Sequence, residues 1–246
     1  MNERNRSWEE LGAASGLLAT ALFIAAFIVF LAGAHPTGDP ALPNINHAEF
    51  APAYLASYLS QIRAVVLLNS LGLALFLWFL GSLWTRLRDD EGGTGRGSTL
   101  VLVGGVAGTV MVLSGLALIA AAGLSTSAVQ ADTVATLYTA ASLLIALGGG
   151  VLSIYFFGAA KVILQTGALG RWLGVLAFIA GLLSVCGFMT PFFEANVLNA
   201  ATGALGRWAP TAAFVIWLFL ASGSMTLEQR RRRRLAPGPT VTEAAR

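Results

Sequence analysis

Charge is what this sequence has least of. Of 246 residues only 11% are Asp, Glu, Lys or Arg, against 56% hydrophobic, whereas a soluble domain carries about 25% charged residues. With a mean hydropathy of +0.74, the chain has too little polar surface to cover a water-soluble core, and lipid is the solvent to read it against. Lysine is nearly missing: Lys161 is the only one among 15 basic residues. Cys186 is the single cysteine, which excludes an intrachain disulfide and leaves the redox compartment open. The only histidines, His35 and His47, stand outside the long apolar runs, which excludes haem held between membrane helices. Asp39, His47 and Glu49 match no standard metal spacing and read as a solvated loop. The run from Gly92 to Thr99 superficially resembles a phosphate-binding loop. It lacks both the lysine, replaced by Gly97, and a preceding strand. It reads instead as a flexible inner loop in which Ser98 or Thr99 caps the following helix. No cofactor is implied.

What the sequence does have is length of apolar run. A bilayer core of roughly 30 Å needs about 20 apolar residues in a helix. Six stretches qualify, at about Leu11–Gly33, Ile62–Leu83, Leu100–Leu124, Val134–Ala159, Trp172–Phe193 and Ala209–Leu227, with no Asp, Glu, Lys, Arg or His in their interiors. The fold class is therefore all-α: a polytopic membrane protein with a bundle of six transmembrane helices. The first stretch competes with a signal-peptide reading, Ala32-Gly33-Ala34 resembling a cleavage site. Its apolar core of about 20 residues exceeds the roughly 7–15 of such peptides, so a retained span is expected. Positive charge decides orientation. With the N-terminus inside, the inner segments carry Arg4, Arg6, Arg86, Arg88, Arg96, Lys161, Arg171, Arg230 to Arg234 and Arg246; the outer ones carry only Arg63 and Arg207. Both ends are thus expected in the cytoplasm. Alanine-, glycine- and arginine-rich, lysine-poor usage suggests a GC-rich bacterial genome, and with it the cell's inner (plasma) membrane.

The segments between spans carry their own signals. Residues 34–61 open on turn chemistry at His35-Pro36 to Pro43. From His47 onward, Phe50, Tyr54, Leu55, Tyr58, Leu59 and Ile62 recur at helical spacing, giving a short amphipathic helix in the first outer loop. An interfacial anchor is its plainer role and a cap over the bundle its stronger one. Residues 1–228 read as the transmembrane domain and 229–246 as a basic tail without fixed structure. Arg230, Arg231, Arg232, Arg233 and Arg234 suit topology and anionic lipid headgroups; nucleic acid is not an expected partner.

Polar residues inside the spans are mild: Thr20, Asn69, Ser70, Thr109, Ser114, Ser142, Ser153, Ser184 and Cys186. Hydroxyls can return hydrogen bonds to their own helix. Asn69, with four hydrogen-bonding positions, should face the bundle interior, as glue between helices or as a ligand contact. Arg63 and Glu194, both near the outer boundary, either pair or snorkel independently. Asn69, Arg63 and Glu194 are the candidate ligand-binding residues. Absence of mid-membrane charge argues against ion- or proton-coupled transport. Gly104-x-x-x-Gly108, Gly148-Gly149-Gly150 and Gly12-x-x-x-Gly16 supply small surfaces, for packing within the chain ahead of a dimer seam.

One stretch has a family look. Gly167, Leu169, Arg171, Leu173, Gly174 and Leu176 spell G-x-L-x-R-x-L-G-x-L, followed by Ile179-Ala180-Gly181. This resembles a family of uncharacterised bacterial multi-helix membrane proteins, a domain of unknown function. The family often has proline before the arginine, where this chain has Gly170. The resemblance implies six helices and no known activity. The leading functional expectation is a non-enzymatic membrane protein that binds a lipid-like or apolar molecule, or a partner membrane protein such as a second copy. A small neutral-solute transporter using Asn69 comes second. A lipid-acting interfacial enzyme comes last, requiring His47, Glu49 and Glu194 to converge.

Overall fold

The computed structural model describes residues 3–33, 51–192 and 208–235, and these are all-helical. Seven α-helices follow in order: α1 (Glu3–Gly33), α2 (Ala51–Ser57), α3 (Leu59–Glu91), α4 (Arg96–Ser125), α5 (Ala131–Thr166), α6 (Arg171–Met189) and α7 (Ala209–Leu235). A 3-10 turn, Thr190–Phe192, extends α6. All but α2 are long and apolar enough to cross a bilayer, and they coincide with the six expected spans. Several overrun the apolar stretch toward the arginine-rich ends, taken here as the inner side. At 1.5 Å per residue the 36 residues of α5 reach about 54 Å. α7 continues through the arginine run to Leu235; the tail beyond it lies outside the described residues.

Local chemistry sets the inner turns. Gly167 stops α5 in the left-handed region (φ 77°), its N–H donating to Ile163 O at 2.8 Å, as its place in the sequence suggests. The α3–α4 turn departs from expectation. Neither Ser98 nor Thr99 caps α4; their hydroxyls donate to Gly95 O at 3.0 and 2.8 Å. Glu91, at the end of α3, supplies the cap: its carboxylate accepts from the Gly97 and Ser98 N–H groups, both at 2.8 Å. Gly92, Gly93 and Gly95 all have positive φ. That path doubles the chain back so that a carboxylate, the stronger acceptor, meets the positive end of the next helix.

The spanning helices form a closed ring in which α1 packs on α3, α3 on α4, α4 on α5, α5 on α6, α6 on α7, and α7 back on α1. Lipid tails are as apolar as the helices, so close van der Waals packing and interhelical hydrogen bonds hold such a ring together. Small residues permit the packing. A Cβ on Gly104 would lie 2.7 Å from the backbone N of Tyr155, and one on Gly108 would lie 2.6 Å from Leu152 Cγ and 3.1 Å from Gly148 O. Gly12 and Gly16 of α1 are closed off by the side chains of Ser82 and of Ser222 and Phe79. These motifs serve packing within the chain. The outer perimeter is apolar: Leu18, Leu67, Val103, Ile154, Phe178 and Phe219, one from each span, are exposed.

In the inner half, the ring is filled by aromatic side chains packed edge to face. Tyr155 meets Phe76 at 5.6 Å and Trp217 at 5.5 Å, and Phe156 meets Trp217 at 5.8 Å between centroids. Each such pair contributes about 0.5–1.5 kcal/mol beyond its buried area. Trp217 Nε1 donates to Leu173 O at 3.1 Å, tying α7 to α6. Arg86 of α3 meets Glu228 of α7 at 2.7 Å and Asp90 at 3.3 Å. All three side chains are about a quarter to a third exposed, so that network adds little stability.

At the outer side α2 caps the bundle and is more than an interfacial anchor. Its Leu55 is fully buried in a cluster with Ala122 of α4 and Val134 of α5. Helical bonding runs on across the α2–α3 bend, from Tyr58 N to Tyr54 O and from Ile62 N to Tyr58 O.

The α4–α5 seam gives a direct test. Gly104→Val should lower the unfolding free energy in detergent by about 1–3 kcal/mol, because the new side chain meets backbone that cannot rotate away. Gly81→Val, whose Cβ would meet nothing within 4 Å, should change it by far less. Thermal unfolding of both variants against wild type reads the difference.

Candidate functional site

Where the inner half of the ring is filled, the outer half is hollow. A cavity of about 430 Å³ lies among α1, α2, α3, α4, α5, α6 and α7, within the usual range of small-molecule sites. Its walls differ in character. On the α1 and α7 side they are aromatic: Phe23 packs edge to face on Phe214 at 5.6 Å and Phe27 on Trp208 at 5.4 Å. On the α5 and α6 side small and polar residues, Ser142, Gly149, Ser184 and Thr190, stand among Tyr138, Ile145, Leu152 and Phe156. α3 contributes Asn69 between Val65 and Leu73, and Tyr54 and Tyr58 stand at the α2 end.

The three consecutive glycines of α5 explain how room is made. A Cβ on Gly148 would press on α4, 2.9 Å from Val112 Cγ2, and one on Gly150 would press on α6, 2.6 Å from Phe188. These two let α5 approach both neighbours. Gly149 between them lines the cavity, and a Cβ there would find only Ser184 O, at 4.0 Å. Two of the glycines bring the helices together; the third leaves the space.

Four polar groups on the wall are held by their own helices. Ser142 Oγ donates to Tyr138 O at 2.9 Å, Ser184 Oγ to Ala180 O at 2.8 Å, and Thr190 Oγ1 to Gly187 O at 2.8 Å. Asn69 Nδ2 donates to Val65 O at 2.8 Å. Asn69 stands ten residues into α3, about 15 Å along its axis, near mid-membrane. No Asp, Glu, Lys, Arg or His lies among the cavity's described lining residues.

The structure thus places Asn69 in the interior, as expected, though not as glue: its hydrogen bond stays within α3. Arg63 is exposed, off the cavity wall, and meets no carboxylate among the described residues. Glu194 lies outside the described residues, as do His35, Asp39, His47 and Glu49. An ion pair between helices does exist, but at the inner ends, between Arg86 and Glu228. The aromatic wall escaped sequence reasoning, because phenylalanines at 23, 27 and 214 look like any lipid-facing residue until the ring is closed. Among the described residues no three metal-ligating side chains gather. A second, shallower recess of about 510 Å³ lies at the inner face, beside the Thr166–Gly170 loop, with Arg86, Asp90 and Glu228 on its rim. Its one guanidinium, Arg86, already pairs with both carboxylates.

No family model matches the chain, and no curated protein or solved structure is significantly similar to it.

If Asn69 makes no interhelical bond, removing it should cost the fold little. Asn69→Leu should leave the unfolding free energy within about 0.5 kcal/mol of wild type. Trp217→Phe, which deletes the α7–α6 bond, should lose about 1 kcal/mol. Thermal denaturation in one detergent compares them; a larger loss for Asn69→Leu would show a structural role instead.

Proposed function

We propose that this protein binds a neutral, lipid-like apolar molecule in the cavity of its outer half, without catalysing a reaction on it. The observation that carries the reading is the cavity itself: about 430 Å³, reaching Asn69 near mid-membrane, largely apolar, and free of Asp, Glu, Lys, Arg and His on its described walls. A charged ligand would be desolvated there with nothing to pair with. An apolar one would exchange lipid for an aromatic wall of matched shape, with a few polar atoms to fix its orientation.

A carrier of small neutral solutes is the second reading, and one observation favours it. The hollow outer half and the filled inner half are what a transporter closed on one side presents. The inner closure rests on the Tyr155 and Trp217 aromatic cluster and the Arg86–Glu228 contact, which would have to part. The loop from Gly167 to Leu176 supports kinship with uncharacterised bacterial six-helix membrane proteins. With the charge asymmetry, it supports a plasma-membrane location. The run from Arg230 to Arg234 suits anionic lipid headgroups on the inner leaflet.

Native mass spectrometry of the protein released from mild detergent, with lipid analysis of what stays bound, tests the main reading. Wild type should retain one neutral molecule per chain. Gly149→Phe, which places a ring in the cavity from a position with open space, should lose it while remaining folded, with wild-type helical content by circular dichroism. A bare mass for wild type, or only exchangeable bulk lipid, would contradict the proposal.

A further inference from the structure

The hydrogen bonds already made on the cavity wall say what chemistry is left for a ligand. A serine or threonine hydroxyl has one proton and two lone pairs. Ser142, Ser184 and Thr190 each direct that proton to a carbonyl of their own helix. Toward the cavity they can offer only lone pairs. Asn69 gives one N–H to Val65 O, which fixes the amide orientation and leaves its carbonyl oxygen and one N–H. These four side chains therefore present four accepting oxygens and a single donor. They also fall into two tiers. Ser184, whose backbone adjoins Gly149, lies six residues inward of Thr190 on α6, about 9 Å. Ser142 lies seven residues outward of Gly149 on α5, about 10 Å.

We infer that the molecule this cavity takes is an alcohol: a neutral, long-chain or polycyclic lipid whose hydroxyl donates its one proton to the Asn69 or the Ser184 oxygen while its hydrocarbon packs against Phe23, Phe27 and Phe214. This rests on the cavity-binding reading and specifies its ligand class. At the depth of Asn69 and Ser184, inward of Gln61, Tyr54, Tyr58, Tyr138, Trp208 and Thr211 on the same wall, a ligand whose only polar atom accepts, such as an ether, an ester or a quinone, would compete for the one remaining Asn69 N–H. Otherwise it would need a serine to give up its helix bond, leaving a carbonyl unsatisfied in lipid. A fatty-acid anion or an amine cation would find no counter-charge. An alcohol satisfies a lone pair with its proton and can take the Asn69 N–H on its own oxygen, so both partners gain.

The discriminating probes are 1-hexadecanol and its methyl ether, which share a chain and differ in the donor. Saturable binding of tritiated 1-hexadecanol to the full chain in nanodiscs, corrected for empty discs, should reach one per protein. The ether should compete about tenfold more weakly, the scale of one well-made hydrogen bond. In Asn69→Leu that preference should shrink toward one. Equal competition by alcohol and ether on wild type would overturn the alcohol inference and leave cavity binding standing. If neither probe binds saturably while the protein still retains an endogenous molecule that Gly149→Phe expels, the inference again fails and the reading survives. If neither probe binds and nothing endogenous is retained, both fall. The wild-type comparison needs no variant, so a folding defect in Asn69→Leu cannot rescue the idea.

Discussion

Two apolar helix faces gain nothing by leaving lipid for each other, so a membrane bundle stands on how closely its backbones approach. In this chain that approach is granted by glycines, and the rest of the structure follows from where they sit. Gly104 and Gly108 let α4 lie against α5 with no room for a methyl group. Gly12 and Gly16 do the same for α1 against the side chains of α3 and α7. Gly148 and Gly150 bring α5 to neighbours on both sides. A ring of six helices drawn together at these seams still has to be filled at its centre. Phe76, Tyr155, Phe156 and Trp217 fill the inner half. In the outer half, Gly149, Ser142 and Ser184 are too small to meet the aromatic wall opposite, and the space remains.

The second determinant is how polar groups are satisfied without water. Thr20, Thr109, Ser114 and Ser153 spend their protons locally, bonding back to Gly16, Gly105, Val110 and Gly150 at 2.9, 2.7, 2.9 and 2.6 Å; buried Ser222 of α7 is an exception, its hydroxyl unpartnered among the described residues. That habit costs little and keeps each helix self-sufficient. On the cavity wall it also biases what is offered to a guest, because a hydroxyl that has donated can only accept. Helix stability and the proposed preference for a donating guest thus trace to one arrangement of the same atoms.

Much of this architecture can be read from residue order. Six apolar runs without internal charge give six spans, Gly167 ends α5, and Asn69 turns inward because an amide facing lipid would lose too many hydrogen bonds. Other features depend on neighbours far away in the chain. Whether Leu55 anchors at an interface or caps a bundle is decided by Ala122 and Val134, which nothing near residue 55 reveals. The cap of α4 was misassigned because Ser98 and Thr99 have the right chemistry. Three left-handed glycines bring Glu91, a charged acceptor, to the same N–H groups. The Gly148-Gly149-Gly150 run was visible as small surface, but its division into two contacts and one vacancy appears only with α4 and α6 in place. For Arg63 and Glu194, shared outer-boundary position alone leaves pairing and independent snorkelling equally open; α3 turns Arg63 away from the cavity, and Glu194 lies outside the described residues.

The central claim is that the cavity, and not the lipid-facing perimeter, is where an apolar molecule resides. Photo-crosslinking in membranes with a long-chain alcohol bearing a diazirine, followed by peptide mapping of the adducts, tests it most directly. The account predicts adducts on cavity residues of α1, α3 and α7 such as Phe23, Asn69 and Phe214, competed away by unlabelled alcohol and lost in Gly149→Phe. Adducts confined to exposed perimeter residues such as Leu67 and Phe178, indifferent to competitor, would contradict it.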